Sequence, residues 1–372
     1  GLIETVGSGI PRIDFSDDVN GALLLEPTIS NSVDNSTNFF LNSWSGTRVS
    51  EGSTITSPNG NNEAHKLIAS SVSNTHYREY TVSSASGSYT GSCFFKKGEY
   101  NVGVIRMGVN NNVDRYSIYF NFEDGSFIQA ATVGSPTGTS YKIKNYGNGW
   151  YRLSVTITHT SGEVRMSLSN ASSDYTNSSG LPVFLGNSSD GGYTWGAQLE
   201  QGSYATSYIP TQGSAVTRSA DVCNNGGNDQ VINSTEGVLY YEGSALAEEV
   251  VDKRIALSDG TLNNYVSIGY SRFSGNIIAE MISGGVIQTS DWGATGISQT
   301  NNNKFAMSWG SGTMKFYING VQKQTASVTS PIGMNNLLFS AGNGANAMYN
   351  KTKSVQVYTT ALSDAELTTL TT

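Results

Sequence analysis

The sequence predicts an all-β protein: two antiparallel β-sandwich domains of the jelly-roll kind in tandem, followed by a short C-terminal helix. Three observations predict this. Apolar residues alternate with polar ones in short runs that recur roughly every ten residues between turns rich in Gly, Asn and Ser, which is sandwich spacing. Only 13% of residues are charged, while Gly (42) and Tyr (20) are abundant, a composition that suits turn-rich β-structure. A polar stretch at 211–235, poor in apolar residues, separates two strand-bearing parts, and each part is long enough for a core of its own.

Residues 1–20 read as an extended lead-in with short strand pieces around Ile3 and Ile13. The first sandwich is expected over 21–210, opening on the apolar run Gly21 to Leu25. Its clearest strands fall at 79–82, 91–95, 101–107, 116–122, 151–158, 164–168 and 193–199. Two long polar loops interrupt them, MGVNNNVD at 107–114 and NASSDYTNSSG at 170–180. Loops of this kind serve ligand contact or packing against another subunit. In the last strand Tyr193, Trp195, Ala197 and Leu199 alternate at period two, placing them on one face. Gln201-Gly202-Ser203 turns the chain and 204–209 reads as a further short strand, ended by Pro210, which has no N–H for a ladder. The linker 211–235 follows. The second sandwich is expected over 236–372, where Phe305, Met307 and Trp309 alternate, Gly310-Ser311-Gly312 turns, and Met314, Phe316 and Ile318 answer them as a hairpin. Ser363 with Glu366 three residues on makes a capping box, so a helix is expected over LSDAELTTL.

The run WGAQLEQGSYATSYIPTQGSAVTRSAD, with PRIDF, NGALLLEPTISN, SCFFKKGEYNVG and NGWYRLSVTIT in order before it, resembles a β-sandwich module that recurs in bacteriophage tail and head-fibre proteins. It departs from that family at 32–38, SVDNSTN, where an apolar TN-L-L segment is usual. The resemblance implies a carbohydrate-binding-module-like jelly roll in a virion fibre or tail component. It also implies residence on the virion surface, other virion proteins as partners, assembly as a homotrimer, and further sequence ahead of Gly1. The second part, with KFYINGVQ and the terminal helix, resembles the concanavalin A-like, laminin-G-like lectin sandwich.

Charge and motif content exclude several functions. A net charge of −8 with no Lys/Arg cluster gives no footprint for nucleic acid. No apolar run approaches the ~18 residues of a membrane span, so no membrane insertion is expected. Cys93 and Cys223 form neither a disulfide framework nor a metal spacing. Sandwich glycosidases need paired carboxylates across the scissile bond, on one strand face as E-x-D-x-x-E, and only the loop-like Glu248, Glu249 and Asp252 come near. FFKKGEYN at 94–101 resembles the tyrosine strand of alginate lyases, but the Q-[IV]-H and R-x-E-L-R partners are missing, so Tyr100 reads as a strand residue. His65, His76 and His159 are the only histidines, and no G-x-S-x-G elbow accompanies them. The expectation is therefore no enzyme and no cofactor. The turns Ser258-Asp259-Gly260 and Asp190-Gly191-Gly192 could hold Ca²⁺, although Asp bonding its own backbone is the plainer reading of each.

Sugars dock on exposed aromatic rings flanked by groups that bond hydroxyls. Trp150 begins a strand, Trp195 and Trp309 alternate inward with other apolar residues, and the resemblance implies a core place for Trp44, whereas Trp292 lies in the small-residue loop TSDWGATG. Glycan contact is therefore expected at Trp292 with Asp291, and from neighbouring segments Tyr270, Arg272 and Asn302. The expected function is glycan binding for host or environmental adhesion. The alternative is structural decoration of a virion without sugar binding, and polysaccharide depolymerase activity stands third.

Overall fold

In the computed structural model, which describes residues 3–41, 43–273, 277–291 and 296–372, strands dominate and the helix of the described residues is Asp364–Thr371. The chain divides into two units. One holds Thr28–Ser219 with the residues up to Thr5; the other holds Val6–Pro27 with Ala220–Thr372.

The first unit is a sandwich of two six-stranded antiparallel sheets. One runs Phe127–Val133, Asp114–Asn121, Val102–Val109, Glu163–Ala171, Tyr77–Ser83, Ser45–Thr47. The other runs Ser140–Gly147, Trp150–His159, Gly87–Lys96, Gly191–Gln201, Asn62–Ala69, Val49–Thr56. Alternation turns Phe95, Ile105, Ile118, Phe120, Leu153 and Leu168 into the space between the sheets, all fully buried. Cys93 joins them, and burial pushes its thiol well above the ordinary range. Each of the seven strands read from alternation lies within an observed strand to within one residue at its ends. Two of the strands not read, Val49–Thr56 and Ser140–Gly147, lie at the sheet edges and bury none of their residues fully, so they carry little apolar alternation. The inner strand Asn62–Ala69 was also not read, its polar Asn, Glu, His and Lys masking the buried Ala64, Leu67 and Ala69.

In the strand Gly191–Gln201 the simple alternation breaks. Its register against Gly87–Lys96 shifts between Trp195 and Gln198, and Gly196 takes the left-handed conformation at φ +68°. A bulge of this kind puts two residues opposite one and reverses the faces beyond it. Ala197 and Leu199 therefore enter the inter-sheet core, while Trp195 packs outside it with Phe94, Trp150 and Ala64. The tryptophan is still fully buried, because the chain returns over it. Residues 204–209, read as a strand, form an irregular strap across the outer face of this sheet. Tyr208 packs on Trp195 with ring centroids 4.4 Å apart and planes tilted by 50°. Arg152 Nη1 donates to the Thr206 carbonyl at 2.7 Å, and the Ile209 N–H donates to Gln198 Oε1 at 2.7 Å. The strap's hydrogen bonds thus go to side chains of the sheet rather than to a ladder. Part of the expected linker also belongs here, since Val216–Arg218 pairs with Ile29–Asn31.

Beneath the strap Glu200 accepts from the Thr206 N–H at 3.2 Å and from the Thr206 hydroxyl. Burial raises its carboxyl above the ordinary value, against the pull of Arg152 and these hydrogen bonds. A raised folded-state pKa means that the fold favours the protonated acid. The contribution is complete below the unfolded value near 4.3 and is lost as pH climbs through the folded one. Glu200→Gln, which cannot ionise, should therefore match the wild type in melting temperature in acid and gain on it as pH rises. A gain that instead grew on acidification would contradict this assignment.

The second unit is also a sandwich. Its larger sheet runs Ile13–Asp14, Ala22–Leu25, Asn350–Tyr358, Gly237–Ala245, Asn303–Gly310, Thr313–Ile318, Val321–Ser327. The smaller runs Val286–Asp291, Ile277–Ser283, Tyr265–Tyr270, Lys253–Ser258, Asn336–Leu338. The hairpin forms as read, with Phe305, Met307, Trp309, Met314, Phe316 and Ile318 all in the core. Ser363 and Glu366 cap the helix reciprocally, and it buries Leu367. No described helix is long and apolar enough to cross a membrane.

The lead-in and the apolar run after it differ from expectation. Instead of opening the first sandwich, Ala22–Leu25 pairs with Asn350–Tyr358, Leu25 opposite Asn350. Leu25 joins the second unit's core. Ion pairs hold the segment down: Arg12 with Glu26 at 2.6 Å and with Asp221, Lys351 with Asp14 at 2.6 Å, Lys353 with Asp18 at 2.7 Å.

Candidate functional site

The residues singled out around Trp292 do not form one exposed site among the described residues. Trp292 itself lies outside them, and Asp291 ends a strand opposite Ala279. Tyr270 is a correction: it is 0% exposed and belongs to the second unit's core, edge to face with Phe305 at 5.6 Å. It ends the strand Tyr265–Tyr270, and its position in the ladder turns the ring inward. Its hydroxyl accepts from Asn303 Nδ2 at 3.4 Å, so no ring face is left for a sugar. Arg272 is exposed, with its N–H donating to Asp252 Oδ1 at 2.7 Å and its guanidinium 5.2 Å from the Phe273 ring. Asn302 Nδ2 donates to Glu242 Oε1 at 2.9 Å. Arg272 and Asn302 thus answer to different carboxylates.

The other side chains considered for chemistry have structural partners. Tyr100 is buried with its ring edge-on to Phe184 at 5.2 Å. Burial, reinforced by the charges of Asp190, Glu99 and Asp174, pushes its phenol up to about 12. Asp259 accepts from the Thr261 N–H at 2.9 Å, the Thr261 hydroxyl at 2.6 Å and Asn264 Nδ2 at 3.0 Å. Partial burial opposes the effect, but these hydrogen bonds win and hold its carboxyl below the ordinary value. That is a self-bonded turn. Among the described residues no three His, Cys, Asp or Glu side chains converge as a metal site would require.

The polar loop at 170–180 has more to offer. It folds onto the outer face of the first unit's sheet, where Thr176–Ser178 pairs with Leu181–Leu185, and that strand with Ser73–Thr75. What it covers is charged and satisfied: Arg106 donates to Glu79 at 2.9 Å and to Ser167 at 3.0 Å, and Ser167 donates to Glu79 at 2.7 Å. Where the loop meets the edge strand Phe127–Val133 it leaves a groove of about 480 Å³. Ile128 and Gln129 border it from that strand, and Ser173, Tyr175 and Asn177 from the loop. Asn101, Val102 and Asn121, at the ends of two central strands, complete it.

This groove is rigid for identifiable reasons. Tyr175 stacks on the buried Tyr119, centroids 5.2 Å apart and planes 13° apart. Gln129 Nε2 donates to the Tyr175 hydroxyl at 2.8 Å, and Asn177 Nδ2 to the Tyr119 hydroxyl at 2.8 Å. Burial raises both phenols, so both stay neutral at physiological pH. Asn177 Oδ1 is used by the Gly180 N–H at 3.1 Å, and Asn121 Oδ1 by the Glu123 N–H at 2.9 Å. Gln129 Oε1, Asn121 Nδ2 and the side-chain amide of Asn101 have no hydrogen-bond partner among the described residues. Fixed amides beside a half-buried tyrosine and an exposed isoleucine are what a hydroxyl-rich ligand with apolar C–H faces requires. The sequence reading ranked tryptophans and so passed over Tyr175; its signal was a lone aromatic in an otherwise polar loop.

No family model matches the chain, and no curated protein matches it. Among solved structures it is similar to the CBM40 of the Ruminococcus gnavus IT-sialidase, at 16% identity over 41% of this chain and 95% of that one, TM-score 0.33. A second structure of that module is bound to alpha2,3 sialyllactose. The chain is also similar to domains LG4-5 of the mouse laminin alpha1 chain, at 8% identity over 78% of this chain and 89% of that one, TM-score 0.24.

Proposed function

We propose that this protein binds glycans through the first unit's groove and does so as an adhesin in a virion fibre or tail. The observation that carries the binding reading is the set of immobilised amides around Tyr175, with hydrogen-bonding atoms left over for a ligand. The virion setting, the surface location and the homotrimer are supported by the sequence resemblance of the first 220 or so residues to bacteriophage fibre modules. A shallow groove of this size gives weak binding per copy, and several copies on one fibre raise it by avidity. The reading includes no catalytic step. Tyr100, the residue most like a catalytic one in sequence, is buried away from solvent.

A glycan array probed with the assembled protein tests this. Tyr175→Ala should weaken binding about ten-fold or more, the scale of one lost aromatic anchor. Asn101→Ala, whose side chain holds nothing else in place, should weaken it with an unchanged melting temperature. Trp292→Ala provides the comparison for the second unit. Binding that survives the first two substitutions and fails on the third would move the site to the Trp292 loop. Absence of binding to any host-surface glycan would leave the chain a structural component, and release of reducing ends from a polysaccharide would make it a depolymerase.

A further inference from the structure

The groove's lining also speaks to the class of glycan, an inference that rests on the glycan-binding reading above. We infer that the groove takes a neutral sugar, a hexopyranose or N-acetylhexosamine terminus without carboxylate, sulfate or phosphate. Anionic groups are recognised by guanidinium, ammonium or converging N–H donors, and burying one without such a partner is costly. The lining contains no Lys, Arg or His. On the same sheet face Arg106 is buried and committed to Glu79, Ser167 and the Ser179 carbonyl, while Arg115 and Arg165 lie at the other end of the strands, opposite Gly108, and bond Asn112 and Glu79. The charges that do reach this region are negative. Asp174 sits within the loop between Ser173 and Tyr175, and Asp174, Glu99 and Asp190 all raise the nearby Tyr100 phenol through their fields. Lys66 pairs with Glu99 outside the lining, so a carboxylate brought into the groove meets Asp174 beside it and finds no cation in the lining to bond it.

The polar atoms match an uncharged polyol instead. Asn101, Asn121 and Gln129 are amides, each able to offer both a donor and an acceptor, the pairing that neighbouring hydroxyls use. Here the free positions are of both kinds, Asn121 Nδ2 as a donor and Gln129 Oε1 as an acceptor. Ile128, which is exposed, supplies apolar surface for a ring's C–H face or an N-acetyl methyl, with the buried Val102 behind it at the groove's floor. A volume of about 480 Å³ lies towards the small end of ligand pockets, which suits one or two sugar rings.

The experiment compares matched pairs of oligosaccharides on the protein with both units present by saturation-transfer NMR and calorimetry. Each neutral glycan is paired with the same core ending in sialic acid, a uronic acid or a sulfated sugar, at low and at physiological salt. Neutral members should bind about ten-fold or more tightly than their acidic partners, with the gap widening at low salt as repulsion is unscreened. Acidic members that bind equally or better, in a manner lost in Asn101→Ala, would overturn the neutral-sugar inference and leave glycan binding at the groove intact. No binding by either member of any pair would overturn both.

Discussion

Trp195→Ala should lower the stability of the first unit by about 3–5 kcal/mol, the cost of emptying a fully buried large aromatic site, and leave the second unit's strands protected. Three features set this size. The ring is 0% exposed. It is enclosed by Phe94, Trp150 and Tyr208, with centroids 5.3 Å from Phe94 and 4.4 Å from Tyr208. Its Nε1 also donates to Glu63 Oε1 at 3.0 Å, so truncation removes that bond as well. The strap at 204–209 leans on this tryptophan, and its loss should free the strap first. Hydrogen exchange resolved by segment reads both effects: protection falls in Gly191–Gln201 and at 204–209 and holds in Asn303–Gly310. A loss of stability below about 1 kcal/mol would show that the strap does not seal this face.

The second large effect lies at the other end of the chain. A fragment spanning 220–372 should fail to fold cooperatively, and a peptide spanning 6–27 added in trans should restore it. Without that segment the edge of Asn350–Tyr358 loses its Ala22–Leu25 partner and becomes an open template for association. The core loses Leu25 and the packing of Leu23, of which the buried leucine alone is worth about 2–5 kcal/mol. Asp221 and Lys351 are left without Arg12, Asp14 and Asp17. Denaturant melts of the fragment with and without peptide decide the matter. Equal, cooperative melts in both would mean that 6–27 decorates the second unit without completing it.

These two cases also mark how far the sequence could be read. The two-sandwich class and the central strands were legible because half-buried strands must alternate, and the capping box announced the helix. The pairing of Ala22–Leu25 with a strand more than 300 residues later was not, since local periodicity says nothing about partners. Trp195 was placed correctly as buried but on the wrong face, because one left-handed glycine shifts the register and the motif does not show it. The site was less legible still. Tyr270 alternates like its neighbours and is core, as that pattern predicts, yet its place beside a turn suggested exposure. The groove draws on residues from 101 to 177 that only the sheet topology brings together, and its polar loop contained just one clue, Tyr175.

The central claim is that the first unit's groove is where a sugar sits. Methyl NMR of the protein with both units present, labelled at Ile and Val and titrated with a neutral oligosaccharide selected on the array, tests it most directly. Ile128 and Val102 border the groove, and their methyl resonances should shift in a saturable manner, together, while Ile255 and Ile268 in the second unit's core stay in place. Saturable shifts confined to the second unit, with Ile128 and Val102 unmoved, would contradict the account.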